Sequence, residues 1–158
     1  KYEREARKNW DLFYVRNSTN FFKDRHSSQA LEVKGEGCSG RRSGRRTLLE
    51  LGCGVGNAVF PLLEKNRGLY IVAVDLSSKG IALLKRHPMY DCGRCEAMVL
   101  DATVDDLPAT VLEGGGVDLV LLQFSMSAVA PKDMRRVALL AEQALRPGGK
   151  LLLRDYGR

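Results

Sequence analysis

A glycine-rich stretch constrains the fold of this chain more than any other feature. Residues 48–57 read Leu-Leu-Glu-Leu-Gly-Cys-Gly-Val-Gly-Asn, so an apolar run leads into three glycines at alternate positions, and a helix-like pattern follows. This order predicts a buried strand, a tight turn and the start of a helix. Glycine tolerates positive φ and lets the backbone approach a ligand closely, and a helix N-terminus presents free N–H groups. We therefore expect a ligand at this turn, with a purely structural turn as the alternative.

The spacing of the glycines separates two classes of ligand. A dinucleotide site uses G-x-G-x-x-G and places pyrophosphate on the helix end. Here Gly52, Gly54 and Gly56 give G-x-G-x-G, and Glu50 precedes them. A carboxylate at this place would repel pyrophosphate but suits a ligand with a cationic group, such as the ammonium of S-adenosylmethionine. The spacing therefore disfavours a nicotinamide oxidoreductase.

Charge is distributed unevenly along the 158 residues, a length that predicts one domain. The formal net charge is +6, and residues 1–46 hold 12 Lys and Arg against 6 Asp and Glu, whereas residues 47–158 hold 13 of each kind. This basic excess before the glycine turn favours a polyanionic partner, with nucleic acid first, over a merely solvated surface. No apolar run of 18 residues and no secretory signal is present, so we expect no membrane partner.

The cysteines carry a weak signal. Cys92 and Cys95 form a C-x-x-C, but no second pair of ligands accompanies them, and Cys38 and Cys53 stand far away. We interpret all four as free thiols of a reducing compartment, so no metal is expected; a metal or redox site is the alternative.

Strand and helix patterns alternate after the glycine turn. Apolar runs predict strands over residues 69–75, 96–101, 117–124 and 150–154, and the segments between them predict helices over 56–66, 78–87 and 132–146, with a turn or short helix over 104–113. The order predicts a doubly wound parallel sheet that binds ligands at the C-terminal ends of its strands. Asp75 and Asp101 follow two of these strands, and Asp75 has the spacing of an acid that grips ribose hydroxyls.

The N-terminal residues predict two further elements. Residues 1–16 have the spacing of an amphipathic helix, whose Trp10 and Tyr14 would either pack on the core or line a ligand pocket. Residues 21–26 read Phe-Phe-Lys-Asp-Arg-His, and aromatics interleaved with basic residues can stack on bases and hold phosphates. A hydrophobic staple with solvated charges is the alternative. Residues 35–46 have the composition of a flexible basic linker.

The motifs of residues 47–158 resemble those of class I S-adenosylmethionine-dependent methyltransferases. The resemblance rests on the three glycines, Asp75, Asp101 and the Leu-Arg-Pro-Gly-Gly turn at residues 145–149. It implies a Rossmann-like sheet preceded by an N-terminal helical extension. Because the chain ends after the fifth predicted strand, we expect the family's C-terminal strands to be absent from it.

A narrower resemblance covers the ends of the chain. Residues 9–14, 20–26 and 154–157 are similar to motifs of the tRNA 3-methylcytidine methyltransferases. This resemblance implies formation of 3-methylcytidine at position 32 of the anticodon loop, with serine tRNA and seryl-tRNA synthetase as partners. It also implies a cytoplasmic protein, with the nucleus as a second compartment. The family usually has Trp where Ser27 stands. The alternatives are a methyltransferase for a small molecule or protein, and an inactive RNA-binding subunit that binds the cofactor.

The motifs and the resemblance together predict a set of site residues. Those expected to bind S-adenosylmethionine, or its product S-adenosylhomocysteine, are Trp10, Tyr14, Glu50, Gly52, Gly54, Gly56, Asp75, Asp101, Ala102 and Gln123. Those expected to bind RNA are Phe21, Phe22, Lys23, Arg25 and His26. Asp24 and Asp155 are the candidate catalytic residues, as acceptors for the exocyclic amine of cytosine. The implied division is an extension over 1–34, the linker over 35–46 and a core over 47–158.

Overall fold

A computed structural model describes residues 5–17, 45–113 and 115–156. The described helices are α1 Ala6–Asn17, α2 Val59–Lys65, α3 Ser78–Arg86, α4 Ala109–Leu112 and α5 Met134–Ala144. The strands are β1 Arg46–Leu51, β2 Leu69–Asp75, β3 Cys95–Val99, β4 Val117–Gln123 and β5 Leu145–Arg154, and a 3₁₀ turn covers Met126–Ala128. Within these ranges no helix is long and apolar enough to cross a membrane.

The five strands form one sheet in the order β3-β2-β1-β4-β5, and every neighbouring pair is parallel. The chain moves outward from β1 to β3, then returns to the other side of β1 with β4. Such a reversal of strand order leaves a crevice at the C-terminal ends of the two central strands. The predicted doubly wound, Rossmann-like fold is confirmed.

Apolar residues cover both faces of the sheet. Successive residues of a strand point to opposite faces, so Leu48 joins the cluster beneath α2 and α3, while Leu49 joins the cluster beneath α5. All seven residues of β2 are buried, and the apolar side chains on either face of this strand enter one of the two clusters. Helices on both faces are what a parallel sheet needs, because neither face can be left in water.

Two elements differ from the sequence prediction because of their backbone dihedral angles. The helix predicted over 56–66 begins only at Val59, because Gly56 has φ 93°, outside the helical region. The fourth strand stops at Gln123, because Phe124 has φ 54°. Phe124 is the one non-glycine residue with positive φ within the described ranges, and such a backbone is uncommon for a bulky residue.

The fifth strand starts earlier than predicted. It pairs Leu145 with Val117, then skips ahead to pair Lys150 with Leu119, so the residues between Leu145 and Lys150 form an irregularity in the strand. Gly148 has φ 79° there, consistent with a local turn inside the strand. The Pro-Gly-Gly turn of the sequence is therefore part of β5.

Candidate functional site

A cavity of about 420 Å³ opens at the C-terminal ends of the strands. Its lining comes from the ends of β1, β2 and β4, from the turns that follow β1 and β3, from α1, and from the segment between β4 and α5 together with Val137 of α5. This volume lies in the range of small-molecule sites, roughly 300–1,000 Å³. The cavity stands where the reversal of strand order predicts a ligand.

The glycine turn at the end of β1 is bonded to β2. The backbone N–H groups of Gly52 and Cys53 both donate to the carbonyl oxygen of Val74, at 2.8 and 3.0 Å. Gly52 and Gly54 have φ of 83° and 57°, which favour glycine. A Cβ on Gly52 would lie 2.5 Å from the Cβ of Ser125, so the turn also touches the segment after β4.

Asp75 closes this turn from the end of β2. Its Oδ2 accepts the backbone N–H of Gly54 and its Oδ1 accepts that of Ser77, both at 2.8 Å. Burial raises the pKa of the Asp75 carboxyl above its usual value, while these two N–H groups act in the opposite direction. Each oxygen keeps further lone-pair capacity for a ligand donor such as a ribose hydroxyl.

The floor of the cavity beside the glycine turn is electronegative. Glu50 is only 3% exposed and lines the cavity next to Leu51 and Gly52. The Cys53 thiol records this field: burial, then the carboxylates of Asp75 and Glu50, raise its pKa well above the usual value. Such surroundings favour a ligand that carries positive charge.

A turn after β3 forms the next part of the lining. The Oδ1 of Asp101 accepts the backbone N–H of Thr103 at 3.0 Å and its hydroxyl at 2.6 Å. The N–H of Asp101 donates to Asp105 Oδ2 at 2.8 Å. Asp101, Ala102 and Thr103 all line the cavity. The turn is thus held by its own side chains beyond the end of β3 at Val99.

Two buried polar side-chain atoms lie at the end of β4 and just beyond it. The Oε1 of Gln123 and the Oγ of Ser125 are buried and have no hydrogen-bond partner among the described residues. Both residues line the cavity. Buried polar groups are almost always satisfied, so this pair fits a polar ligand in the cavity.

Helix α1 forms the outer wall. Ala6, Trp10 and Tyr14 lie on one side of it, as helical spacing requires, and all three line the cavity. Tyr14 is buried against the glycine turn, because a Cβ on Gly54 would lie 2.7 Å from its hydroxyl oxygen. Gly80 in α3 makes room for the same ring, with an added Cβ 3.1 Å from its Cε2.

The cavity brings together nine of the ten residues expected to bind the cofactor. They are Trp10, Tyr14, Glu50, Gly52, Gly54, Asp75, Asp101, Ala102 and Gln123. The tenth, Gly56, is not part of the lining, and an added Cβ there would lie 2.4 Å from the ring of Phe60. The roles of these residues stay predictions.

The other predicted site residues lie elsewhere. The expected RNA-binding residues and Asp24 fall in 18–44, outside the described residues, as does most of the predicted linker; Arg46 already begins β1. Asp155 follows β5 and does not line the cavity. It accepts the N–H groups of Ser127 at 2.9 Å and Tyr156 at 2.8 Å. Burial raises the pKa of Asp155, but hydrogen bonds from Ser127, Tyr156 and Met126 outweigh it, so the net shift is downward.

The sequence prediction missed part of the lining. Phe124, Ser125 and residues 128–130 reach the cavity because the chain turns sharply after β4. Polar Gln123 and Ser125 directly after an apolar strand were the available signal. Within the described part of the chain no group of three potential metal ligands occurs, and Cys53, Cys92 and Cys95 are free thiols.

The parallel sheet of this order, with a cavity at its C-terminal edge, is the fold of S-adenosylmethionine-dependent methyltransferases. Comparison with solved structures agrees. Phosphoethanolamine N-methyltransferase 1 of Haemonchus contortus, solved with phosphoethanolamine and S-adenosylhomocysteine, superposes with a TM-score of 0.65 at 19% identity, over 94% of this chain and 31% of that one.

Sequence comparison narrows the relationship. A family described as "Methyltransferase domain" matches residues 49–151, and the chain belongs to that family. It is 48% identical over 157 residues to tRNA N(3)-cytidine methyltransferase METTL6 of Mus musculus, covering 99% of this chain and 55% of that protein. It is 38% identical over 162 residues to tRNA N(3)-methylcytidine methyltransferase Mettl2 of Drosophila melanogaster, covering 100% and 50%. The chain thus spans about half the length of these relatives, and the resemblance to tRNA 3-methylcytidine methyltransferases is confirmed.

Proposed function

We propose that this chain is the S-adenosylmethionine-binding part of a tRNA methyltransferase that forms 3-methylcytidine. The observation that carries the proposal is the convergence of three acidic residues on one cavity: Glu50 near the end of β1, Asp75 at the end of β2 and Asp101 in the turn after β3. The similarity to tRNA N(3)-cytidine methyltransferases supports the choice of substrate.

The residues of the cavity fit the chemical groups of this cofactor. The carboxylate of Glu50 suits the ammonium group, the acceptor capacity of Asp75 suits the ribose hydroxyls, and Asp101 with Ala102 suits the adenine. Gln123 Oε1 and Ser125 Oγ offer buried polar atoms to the remaining groups. When bound, S-adenosylmethionine supplies an electrophilic methyl group on a positively charged sulfur.

The protein's contribution to the chemistry is positioning and exclusion of water. N3 of cytosine has a free lone pair at neutral pH, so no strong base is required of the chain. Trp10 and Tyr14 line the outer wall of the cavity, so a ligand bound beneath them would be shielded from water, which strengthens the electrostatic contacts inside. N3 lies on the Watson–Crick edge, so the base must be unpaired or flipped out to reach the cavity.

An aromatic platform beside the cavity gives such a base a place to stack. Phe124 lines the cavity, and the ring of Tyr156 lies 4.9 Å from it, centroid to centroid. The guanidinium carbon of Arg154 lies 5.6 Å from the Phe124 ring centre, and Tyr156 is 76% exposed. Aromatic and guanidinium planes are the usual supports for splayed RNA bases. Asp155, which follows Arg154, is the candidate among the described residues to accept a hydrogen bond from the exocyclic amine of cytosine.

The finer elements of the proposal follow the resemblance. They are position 32 of the anticodon loop as the target, serine tRNA as the substrate, seryl-tRNA synthetase as a partner, and the cytoplasm, with the nucleus second, as the location.

Lys23 and Arg25 flank the aromatics expected near the base. Replacing both with Ser should reduce tRNA affinity and flatten its salt dependence by roughly 0.7 in log–log slope for each phosphate that is no longer bound. Arg41 and Arg42, replaced likewise, are the control for a solvated linker.

The test uses the full-length protein and has two arms. Calorimetric titration should show binding of S-adenosylhomocysteine and none of NAD. Incubation of unmodified tRNA with labelled S-adenosylmethionine, followed by nucleoside analysis, should yield labelled 3-methylcytidine. A labelled nucleoside other than 3-methylcytidine would refute N3 of cytosine as the atom that is methylated. Cofactor binding without any tRNA product would favour the inactive RNA-binding subunit.

A further inference from the structure

Helix α1 is held on the core by a side chain outside the cavity. Asp11 is not among the lining residues, yet its Oδ1 accepts the hydroxyl of Ser77 and, at 3.1 Å, the backbone N–H of Lys79. Its Oδ2 lies 3.5 Å from the hydroxyl of Ser78. We name these contacts of Asp11 with residues 77–79 the α1 clasp. Helix α1 supplies the carboxylate of Asp11, and α3 supplies its N-terminus, where anionic side chains are stabilised.

The clasp continues into the cavity. The buried hydroxyl of Ser77 accepts the N–H of Gly80 at 3.1 Å, which leaves its own proton for Asp11. The backbone N–H of Ser77 donates to Asp75, which also holds the glycine turn. A single residue therefore bonds both to α1 and to a carboxylate that lines the cavity.

The geometry makes the position of α1 a condition for a complete cavity. Trp10 and Tyr14 form its outer wall, and they precede and follow Asp11 within one helical turn. We infer that Asp11 is a positioning residue, which fixes α1 over the cavity so that docking of this helix and binding of the cofactor stabilise each other. The second half of this inference rests on the proposed function, because it requires S-adenosylmethionine in the cavity.

The titration behaviour of Asp11 agrees with this geometry. Burial raises the pKa of its carboxyl, but hydrogen bonds from Ser77, Lys79 and Ser78, with the charge of Lys79, outweigh that effect and leave the pKa lowered. The charged form is thus the one that the docked helix stabilises.

Hydrogen exchange of the full-length protein tests the clasp directly, because amides of α1 exchange when this helix leaves the core. In Asp11→Ala the amides of residues 6–17 should exchange about ten- to hundredfold faster, as loss of charge-assisted hydrogen bonds predicts, while those of β1, β2 and β4 stay unchanged. Alanine is the better helix former, so weaker helix propensity cannot explain faster exchange. Glu64→Gln removes the same charge from an exposed position on α2 and should match the wild type.

S-adenosylhomocysteine provides the second readout. At a hundred times its dissociation constant, it should slow exchange of α1 in the wild type by up to about a hundredfold, because the ligand stabilises the state that it binds. Unchanged α1 exchange in Asp11→Ala would overturn the role of Asp11. Unchanged α1 exchange in a wild-type protein that binds the ligand by calorimetry would overturn the coupling. Absence of ligand binding would instead count against the proposed function. The comparison of wild type with Asp11→Ala, both without ligand, would still decide whether the α1 clasp holds the helix.

Discussion

The contact between Gly52 and Ser125 allows a sharp test of how the cavity is built. Gly52→Ala introduces two separate penalties. A side chain at φ 83° adopts the left-handed backbone, which costs about 1–2 kcal/mol. The new Cβ would also lie 2.5 Å from the Cβ of Ser125, whereas carbon atoms prefer about 3.5–4.0 Å. The ends of β1 and β4 must then separate by about 1 Å, at a cost of about 1–3 kcal/mol.

Two other glycines serve as matched controls. Gly148 has φ 79° and nothing within 4 Å of an added Cβ, so Gly148→Ala carries only the backbone penalty of about 1–2 kcal/mol. Gly68 is outside the left-handed region and has nothing within 4 Å of an added Cβ, so Gly68→Ala should change stability least. Urea denaturation should therefore rank the losses of stability as Gly52, then Gly148, then Gly68.

Measuring ligand affinity separates the effect of the overlap between the new Cβ and Ser125 from the effect of the strained backbone at residue 52. Gly52 and Ser125 both line the cavity, so Gly52→Ala should weaken S-adenosylhomocysteine binding about tenfold or more, about 1.4 kcal/mol, whereas the two control variants bind normally. Adding Ser125→Gly removes the overlapping atom, so the double variant should lose less stability than the sum of the two single variants. Equal stability losses in Gly52→Ala and Gly148→Ala, with unchanged affinity, would refute the reasoning.

Three further predictions concern individual side chains. Asp75→Asn should weaken S-adenosylhomocysteine binding by about 1.5–3 kcal/mol; because the pKa of Asp75 is raised, the wild-type affinity measured by calorimetry should fall as pH is lowered through that pKa, and the variant should lose this dependence. The raised pKa also means that the carboxyl of Asp75 binds a proton more tightly in the folded protein than in the unfolded chain. The contribution of Asp75 to the free energy of unfolding therefore rises as pH falls through the raised pKa of the folded state toward the ordinary pKa of the unfolded chain. Asp155→Asn should lower turnover on tRNA and leave S-adenosylhomocysteine affinity unchanged, and unchanged turnover would remove Asp155 from the reaction. Iodoacetamide at pH 8 should alkylate exposed Cys92 and spare Cys53 and Cys95 in mass-spectrometric peptide analysis, because both are buried and burial raises the pKa of Cys95 to about 12.

The central strands and the acids that follow them were predictable because their signals are local. The apolar run of β2 ends in Asp75, and the sheet places this residue at the cavity, as the spacing predicts. The sequence also predicted the helix that carries Trp10 and Tyr14, although it left open whether these residues line a pocket or pack on the core. The structure shows that Tyr14 does both.

The remaining features depend on contacts between distant segments, which no local pattern reveals. Phe124 extends the apolar run of β4, so the sequence predicts a strand residue where the backbone turns sharply. Asp11 resembles any surface acid on a helix until α3 is placed beside it. Gly56 fits the spacing of a ligand-binding turn, yet it makes room for Phe60.

Helix α1 also gives the cavity an intrinsic optical probe. Trp10 is the one tryptophan in the sequence, and it lies in the cavity wall with the ring of Phe13 at 5.4 Å and that of Tyr14 at 6.0 Å. Within these 158 residues, tryptophan emission therefore arises only from the segment that covers the proposed cofactor. A shift in wavelength or a change in quenching by acrylamide reports on this segment without any label, so rapid mixing can time the arrival of a ligand and the movement of the helix in one trace.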